Sequence, residues 1–131
     1  MPVYDGLLYD PPAPTAAVIL RHGISGATVS DVHLLIDTGA DVTLLPQAVI
    51  ETLGIPPVAG VQYELIGFDG IRTFAEAVEL DLIFLRKAFR GRYLLTKATQ
   101  GILGRDVLAG VALALDGPRQ EWSEYFRSES R

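Results

Sequence analysis

The segment 33-HLLIDTGADVTLLP-46 limits what this chain can fold into more than any other stretch. Leu34, Leu35 and Ile36 make an apolar, strand-like run that ends on a carboxylate, Asp37, and a second apolar run begins at Val42. An acid in an apolar setting is costly unless it is paired or hydrogen-bonded. The fold must therefore turn the chain at Asp37 or supply partners for it. A local turn would use the Asp side chain to accept from a nearby backbone N–H, with Gly39 taking a positive φ. Asp69-Gly70 and Asp116-Gly117 are read in that way and no further.

The rest of the chain is consistent with one buried core. At 131 residues, with 49% hydrophobic and 21% charged residues, it has the length and composition of a single globular domain. The net charge of -5 offers no basic stripe for phosphates, so no nucleic-acid partner is expected. With no cysteine and only His22 and His33, neither a disulfide framework nor a zinc site is expected, and both histidines are read as structural. No cofactor and no metal are anticipated. The N-terminus has no basic region before an apolar stretch, and no run of about 18 apolar residues occurs. The expectation is a soluble, cytoplasmic protein without a membrane partner.

Punctuation by proline and glycine divides the chain. Residues 1–15 hold four of the eight prolines and read as an extended N-terminal arm, able to join a sheet only at an edge or to pack on a partner. Residues 16–116 read as one mostly β domain, and 117–131 as a C-terminal extension. Within the domain, strands are expected at 16–21 and Thr28–Ile36, then a short helix over Gln47–Leu53, with Pro46 in its first turn and Gly54 as its stop. A long hairpin spans 61–66 and 71–84 around a turn at Gly67 to Gly70. Its second arm alternates Val78, Leu80, Leu82 and Phe84 with Ala77, Glu79, Asp81 and Ile83, the period of a half-buried strand. Residues 86–92 carry four of the eleven basic residues and read as a solvated turn. A second short helix is expected over Arg105–Leu108, ended by Gly110, and a last strand over 111–115. Trp122, Tyr125 and Phe126 interrupt an otherwise polar tail and read as packing residues.

Apolar-apolar-Asp-Thr-Gly-Ala, followed by apolar residues and later by Ile102-Leu103-Gly104-Arg105-Asp106, resembles the retroviral-type aspartic proteases, the retropepsins. The resemblance covers most of the chain, and it implies a closed β-barrel-like domain with a flap hairpin, one or two short helices and a two-fold homodimer. Asp37 would be the catalytic carboxylate, Thr38 would hold the active-site loop through its hydroxyl, and Gly39 would admit substrate backbone. Ala40, Asp41, Val42, Leu44 and Ile102 would contact substrate. Leu103 and Gly104 would pack beneath the loop, with Arg105 pairing with Asp41, a planar fork beside a partly buried acid. Ile66, Gly67, Phe68, Asp69 and Gly70 fall where the family carries its flap. The tip is shorter and poorer in glycine than retroviral flaps, Gln100 stands where apolar wall residues are usual, and the tail exceeds the usual family ending.

Hydrolysis of a peptide by carboxylates needs two of them, one to take a proton from water and one to give a proton to the carbonyl. Like charges about 3 Å apart cannot both ionise, so such a pair holds one proton. This chain has a single Asp-Thr-Gly, and a two-fold homodimer would bring the second Asp37 to the axis. The expected activity is that of an aspartic endopeptidase acting on peptide or protein substrates. A catalytically silent, dimeric peptide-binding module of the same fold is the alternative. A phosphoryl-transfer enzyme is disfavoured, because position 39 is Gly where a second acid would be needed and no βαβ alternation follows.

Overall fold

The computed structural model of the chain describes residues 2–128. Strands β1 (Tyr4–Asp5), β2 (Ala13–Arg21) and β3 (Thr28–Ile36) come first, followed by β4 (Leu44–Pro46), which runs directly into helix α1 (Gln47–Leu53). A hairpin of β5 (Tyr63–Ile66) and β6 (Arg72–Ala75) precedes the long pair β7 (Ala77–Phe84) and β8 (Lys87–Thr96). Next come β9 (Gly101–Leu103), helix α2 (Arg105–Leu108) and a hairpin of β10 (Leu113–Asp116) and β11 (Glu121–Glu124). The architecture is mostly β with two short helices, as the resemblance implied.

Seven strands form one sheet in the order β1-β2-β3-β9-β4-β8-β7, and β2 closes it by also pairing with β7. Closure depends on an irregularity in β2, whose register against β3 shifts between Val18 and Leu20. A bulge bends its strand and adds twist. Before the bend, Ala13 and Pro14 pair with β1, and at and beyond it Ile19, Leu20 and Arg21 pair with β7. The barrel interior is filled by the inward set Val78, Leu80, Leu82 and Phe84 of β7 together with Val18, Leu20, Leu34, Leu45 and Leu103. The inward set of β7 is therefore the expected one, but its other face is largely covered as well: Ala77 and Asp81 are buried, and only Glu79 is exposed. Leu103 has no exposed surface, and full burial of a leucine is worth roughly 1.5–3 kcal/mol. That burial anchors β9, which is only three residues long.

Helix α1 has the bounds that the sequence suggests. Its carboxyl end is Gly54, left-handed at φ 68, with its N–H donating to the Glu51 carbonyl at 3.1 Å. Ile50 and Leu53 turn into the core.

Three sequence expectations change. The second arm of the long hairpin is two strands, because the Glu76 carbonyl accepts from Leu95 N–H at 2.9 Å and stays with the barrel while β5 and β6 leave as a separate two-stranded sheet. The basic stretch 86–92 is not a turn. Leu85 and Arg86, both at positive φ, make a two-residue hairpin turn, and Lys87 already belongs to β8. Two of its four cations sit opposite acids of β7, Arg90 across from Asp81 and Arg92 across from Glu79. The tail joins the body in part, through Trp122, whereas Tyr125 and Phe126, read with it as packing residues, are exposed. Trp122 of β11 is buried, with its ring 5.8 Å from that of Phe84 and its indole N–H donating to the Thr15 carbonyl at 2.8 Å.

The N-terminal stretch is also tied down within the chain. Tyr4 N–H donates to the Gln120 carbonyl at 3.0 Å, and Trp122 N–H donates to the Pro2 carbonyl at 3.3 Å. Strand β2 begins at Ala13, inside the stretch read as an arm. Met1 and residues 129–131 of the two expected terminal segments lie outside the described residues. Among the described residues no helix is long and apolar enough to cross a membrane.

Asp81 is the one buried carboxylate among the described residues. Arg90 Nε approaches its Oδ1 at 2.9 Å, and Arg21 Nη2 approaches its Oδ2 at 3.0 Å. These hydrogen bonds, Arg90's first and then Arg21's, hold the Asp81 carboxyl below the usual carboxylate range against the opposing effect of burial. A depressed folded-state value stabilises the fold above the unfolded value, near pH ~4, and the contribution disappears as pH falls through the lower folded value. Asp81→Asn should therefore be less stable at neutral pH and should show a flatter loss of stability on acidification below about pH 5. Urea denaturation at several pH values measures both slopes, and identical slopes would show that this network does not set acid stability.

Candidate active site

Strand β9 is inserted between β3 and β4, which follow one another in sequence but do not pair. It runs parallel to β3, with Leu35 opposite Ile102 and Ile36 opposite Leu103, and antiparallel to β4 through Leu44 and Ile102. The connection between β3 and β4 is thereby forced to arch over the end of β9, and Asp37 lies at the start of that arch.

The arch is fastened at its backbone. Asp37 N–H donates to the Leu103 carbonyl at 3.1 Å, Ala40 N–H to the Asp37 carbonyl at 3.2 Å, and Arg105 N–H to the Ala40 carbonyl at 2.8 Å. Asp37 is half-buried, and its Oδ1 accepts from Gly39 N–H at 2.9 Å. The local turn and the supported acid are thus the same structure. Gly39 is not among the residues at positive φ, so its glycine is explained by space: a Cβ there would lie 3.1 Å from Asp37 Oδ1.

Gly104 is needed for close approach. A Cβ on it would lie 2.5 Å from the Val42 carbonyl carbon and 3.0 Å from the Ala40 oxygen. Gly101 is equally confined, between the Leu44 carbonyl, the Leu34 side chain and the Pro46 ring. Gly104 thus lies directly against the loop, and Leu103 meets it through the carbonyl that accepts from Asp37 N–H.

Arg105 does not pair with Asp41. Asp41 is exposed, and an exposed acid is solvated and has little need of a fixed cation, whereas the sequence reading took it to be partly buried. Instead Arg105 Nη1 donates to the Thr38 carbonyl at 2.6 Å. Thr38 is thus held through its carbonyl, and among the described residues its hydroxyl makes no hydrogen bond.

Two residues that the sequence reading left without a role complete the arrangement. Thr43, fully buried, accepts from Gly104 N–H at 3.0 Å and donates its hydroxyl to Asp106 Oδ1 at 2.6 Å, and its N–H donates to Asp106 Oδ2 at 3.0 Å. The available clue was that Thr43 is the one polar residue in the run 42–45.

Val42 and Leu44 are partly buried and pack with Leu65 of β5 against Ala75, Ala77 and Leu94. Beside them opens a cleft of about 550 Å³ whose lining includes Leu44, Leu65, Phe74 and Leu95, with Gln47 and Lys97 among its polar groups. Ile102 lies across from Leu44 in register and is not part of that lining. Ala40 stays half-buried on the arch. The β5–β6 hairpin rises beside the cleft. At its tip Gly67 N–H donates to the Ile71 carbonyl at 3.0 Å, Asp69 Oδ1 accepts from Ile71 N–H at 2.9 Å, and Gly70 takes a φ of 80. Ile66, Phe68, Ile71 and Phe74 are all exposed on this hairpin, Phe68 completely.

A family model described as aspartyl protease matches residues 23–107, from the turn before β3 to the middle of α2 and well over half of the chain. The chain belongs to the aspartyl protease family. It is an aspartic endopeptidase, and its fold is retropepsin-like. Among solved structures it is similar to EIAV protease complexed with the inhibitor HBY-793, at a TM-score of 0.54 and 24% identity, covering 75% of this chain and 86% of that one. At that identity the likeness is one of fold. No curated protein matches the chain.

The span of the family match contains the Asp37 arch, the β5–β6 hairpin and the β9 brace, and it ends before the β10–β11 hairpin. In this protease the brace leaves no room for a methyl group at 104. Gly104→Ala should lower stability by about 1–3 kcal/mol, the usual cost of overpacking a tight site. It should abolish most peptidase activity even below the unfolding midpoint. Thermal melting and an initial-rate assay on the same preparation separate the two effects, and full activity in the folded variant would contradict the close approach.

Proposed function

We propose that the active enzyme is a two-fold homodimer in which two copies of Asp37, one from each chain, activate a water molecule between them for attack on a peptide bond. The observation that carries this reading is a single half-buried Asp37 per chain, braced through its backbone, with Oδ1 taken by Gly39 N–H and Oδ2 without a hydrogen bond among the described residues.

The chemistry follows from the shared proton. Two carboxyls at hydrogen-bond separation hold one proton between them. The ionised member takes a proton from water as its oxygen adds to the carbonyl carbon, while the protonated member gives its proton to the carbonyl oxygen. Collapse of the tetrahedral adduct breaks the C–N bond; the departing nitrogen receives the proton that came from water, and as the C=O re-forms one adduct hydroxyl returns its proton to the other Asp37, restoring the shared proton. Thr38 and Gly39 complete the catalytic loop, and Ala40, Asp41, Val42, Leu44 and Ile102 form the floor and walls for an extended substrate. The cleft beside Leu44 joins apolar walls from Leu44, Leu65, Phe74 and Leu95 to polar groups from Gln47, Gln62, Glu76 and Lys97, and so suits an extended substrate segment that carries both kinds of side chain. The hairpin carrying Ile66, Gly67, Phe68, Asp69 and Gly70 acts as the lid, and its exposed Ile66 and Phe68 gain cover when it closes and excludes water.

Asp37→Asn should leave the fold and the dimer intact and lower cleavage of a peptide library, measured from about pH 4 to 7, by at least about a hundredfold. Size-exclusion chromatography with light scattering on the same samples should report a dimer. A purely monomeric protein that still cleaves, or an Asn variant that retains activity, would remove the paired-carboxylate reading.

A further inference from the structure

We propose that Asp106 is a positioning residue for the Asp37 loop, acting through Thr43. The proposal concerns the same site as the paired-carboxylate reading and rests on it for its effect on the reaction. Thr43 sits at the end of the arch, six residues after Asp37 in the sequence, with no exposed surface. Its hydroxyl is the only polar side-chain group that bonds to Gly104 N–H among the described residues.

A hydroxyl can rotate, and left alone it presents either its hydrogen or its lone pairs to a neighbour. Asp106 removes that freedom. An ionised carboxylate only accepts, so Oδ1 at 2.6 Å draws the Thr43 hydrogen toward α2 and leaves a lone pair facing Gly104 N–H. Oδ2 takes the Thr43 backbone N–H, and Oδ1 takes Val107 N–H as well, at 2.9 Å. The carboxylate is itself placed by the fully buried Val107 and by the Leu108 N–H to Gly104 carbonyl bond at 2.9 Å. One acid thus fixes the direction of the hydrogen bonds linking α2, the brace at Gly104 and the arch that carries Asp37.

Asparagine has nearly the same shape but the wrong polarity. Both Thr43 groups facing position 106 are donors, and an amide offers them one oxygen and one NH2 group. If the NH2 faces the hydroxyl, Thr43 turns its own hydrogen toward Gly104 N–H and the brace loses its acceptor. The side-chain wall is less affected, because Leu44 and Leu45 are also held by parallel pairing with Leu94 and Leu95 of β8, outside the brace. The loss should therefore fall on kcat more than on KM.

The test compares the wild-type protein with Asp106→Asn, Thr43→Val and the double variant, using hydrogen exchange alongside peptide-cleavage kinetics. In Asp106→Asn, kcat should drop roughly tenfold to a hundredfold, the scale of a misplaced catalytic group, with KM within about threefold. The double variant should be no worse than the poorer single one, since both break one network. The Gly39, Ala40 and Gly104 amides should exchange faster while those of β7 and β8 keep their protection. An Asp106→Asn protein with wild-type kcat, or with protection lost evenly across the barrel, overturns the proposal. If the wild type shows no Asp37-dependent cleavage, the paired-carboxylate reading falls, and the exchange pattern still decides whether Asp106 positions the loop.

Discussion

The placement of Asp37 depends on three residues of backbone, Gly101–Leu103, lying between two strands that follow one another in sequence. β9 supplies the carbonyl for Asp37 N–H and leads straight to the amides of Gly104 and Arg105, which bond to Thr43 and Ala40. None of these contacts is strong alone, since a hydrogen bond contributes about 0.5–1.5 kcal/mol net. Their effect is geometric, because the arch from 37 to 43 is bonded at both ends and in the middle to a segment whose leucine is buried in the core. A carboxylate held by its backbone can keep one oxygen free, whereas one held by its own side-chain bonds has both occupied.

The barrel around this brace resists distortion by other means. The bend in β2 closes the sheet, the Phe84–Trp122 contact ties the carboxyl-terminal hairpin to the interior, and the outer face of β7 and β8 is laced by Arg90–Asp81 and Arg92–Glu79 pairs. The β5–β6 hairpin has little of this. Leu65 and Ala75 pack on one side and Arg92 donates to the Tyr63 hydroxyl, but Ile66, Phe68, Ile71 and Phe74 are exposed and both strands lie outside the main sheet, a condition that suits the lid role proposed for it. Support beneath the acid and a hairpin set apart from the main sheet beside it are what the proposed site needs in order to position and admit a peptide.

Much of this was legible in the residues. The run to Asp37 and the Ile102-Leu103-Gly104 segment indicated fold and family, and Pro46 and Gly54 marked α1 by local chemistry alone. The misreadings share a cause. The basic stretch 86–92 reads as a turn when each charge is considered singly, yet Arg90 and Arg92 face acids on β7, a relation that exists only once the register is known. The Asp41–Arg105 pairing assumed a buried acid, and burial is a property of the assembled surface. Asp106 escaped notice because its partner lies 63 residues away and its bonds go to one buried hydroxyl and two backbone amides. Sequence pattern reports periodicity and local turns well, and long-range polar bonds hardly at all.

The insertion of β9 also orders events in time. The chain is synthesised from its amino end, and Asp37, Thr38 and the arch emerge long before the segment that braces them; the Arg105 bond to Thr38 spans 67 residues. Until 101–106 are made and threaded between β3 and β4, the acid sits on an unsupported loop at an open strand edge. A chain built this way carries its own delay: an unfinished chain holds Asp37 but not the geometry around it, so the supported loop belongs only to chains completed past Asp106.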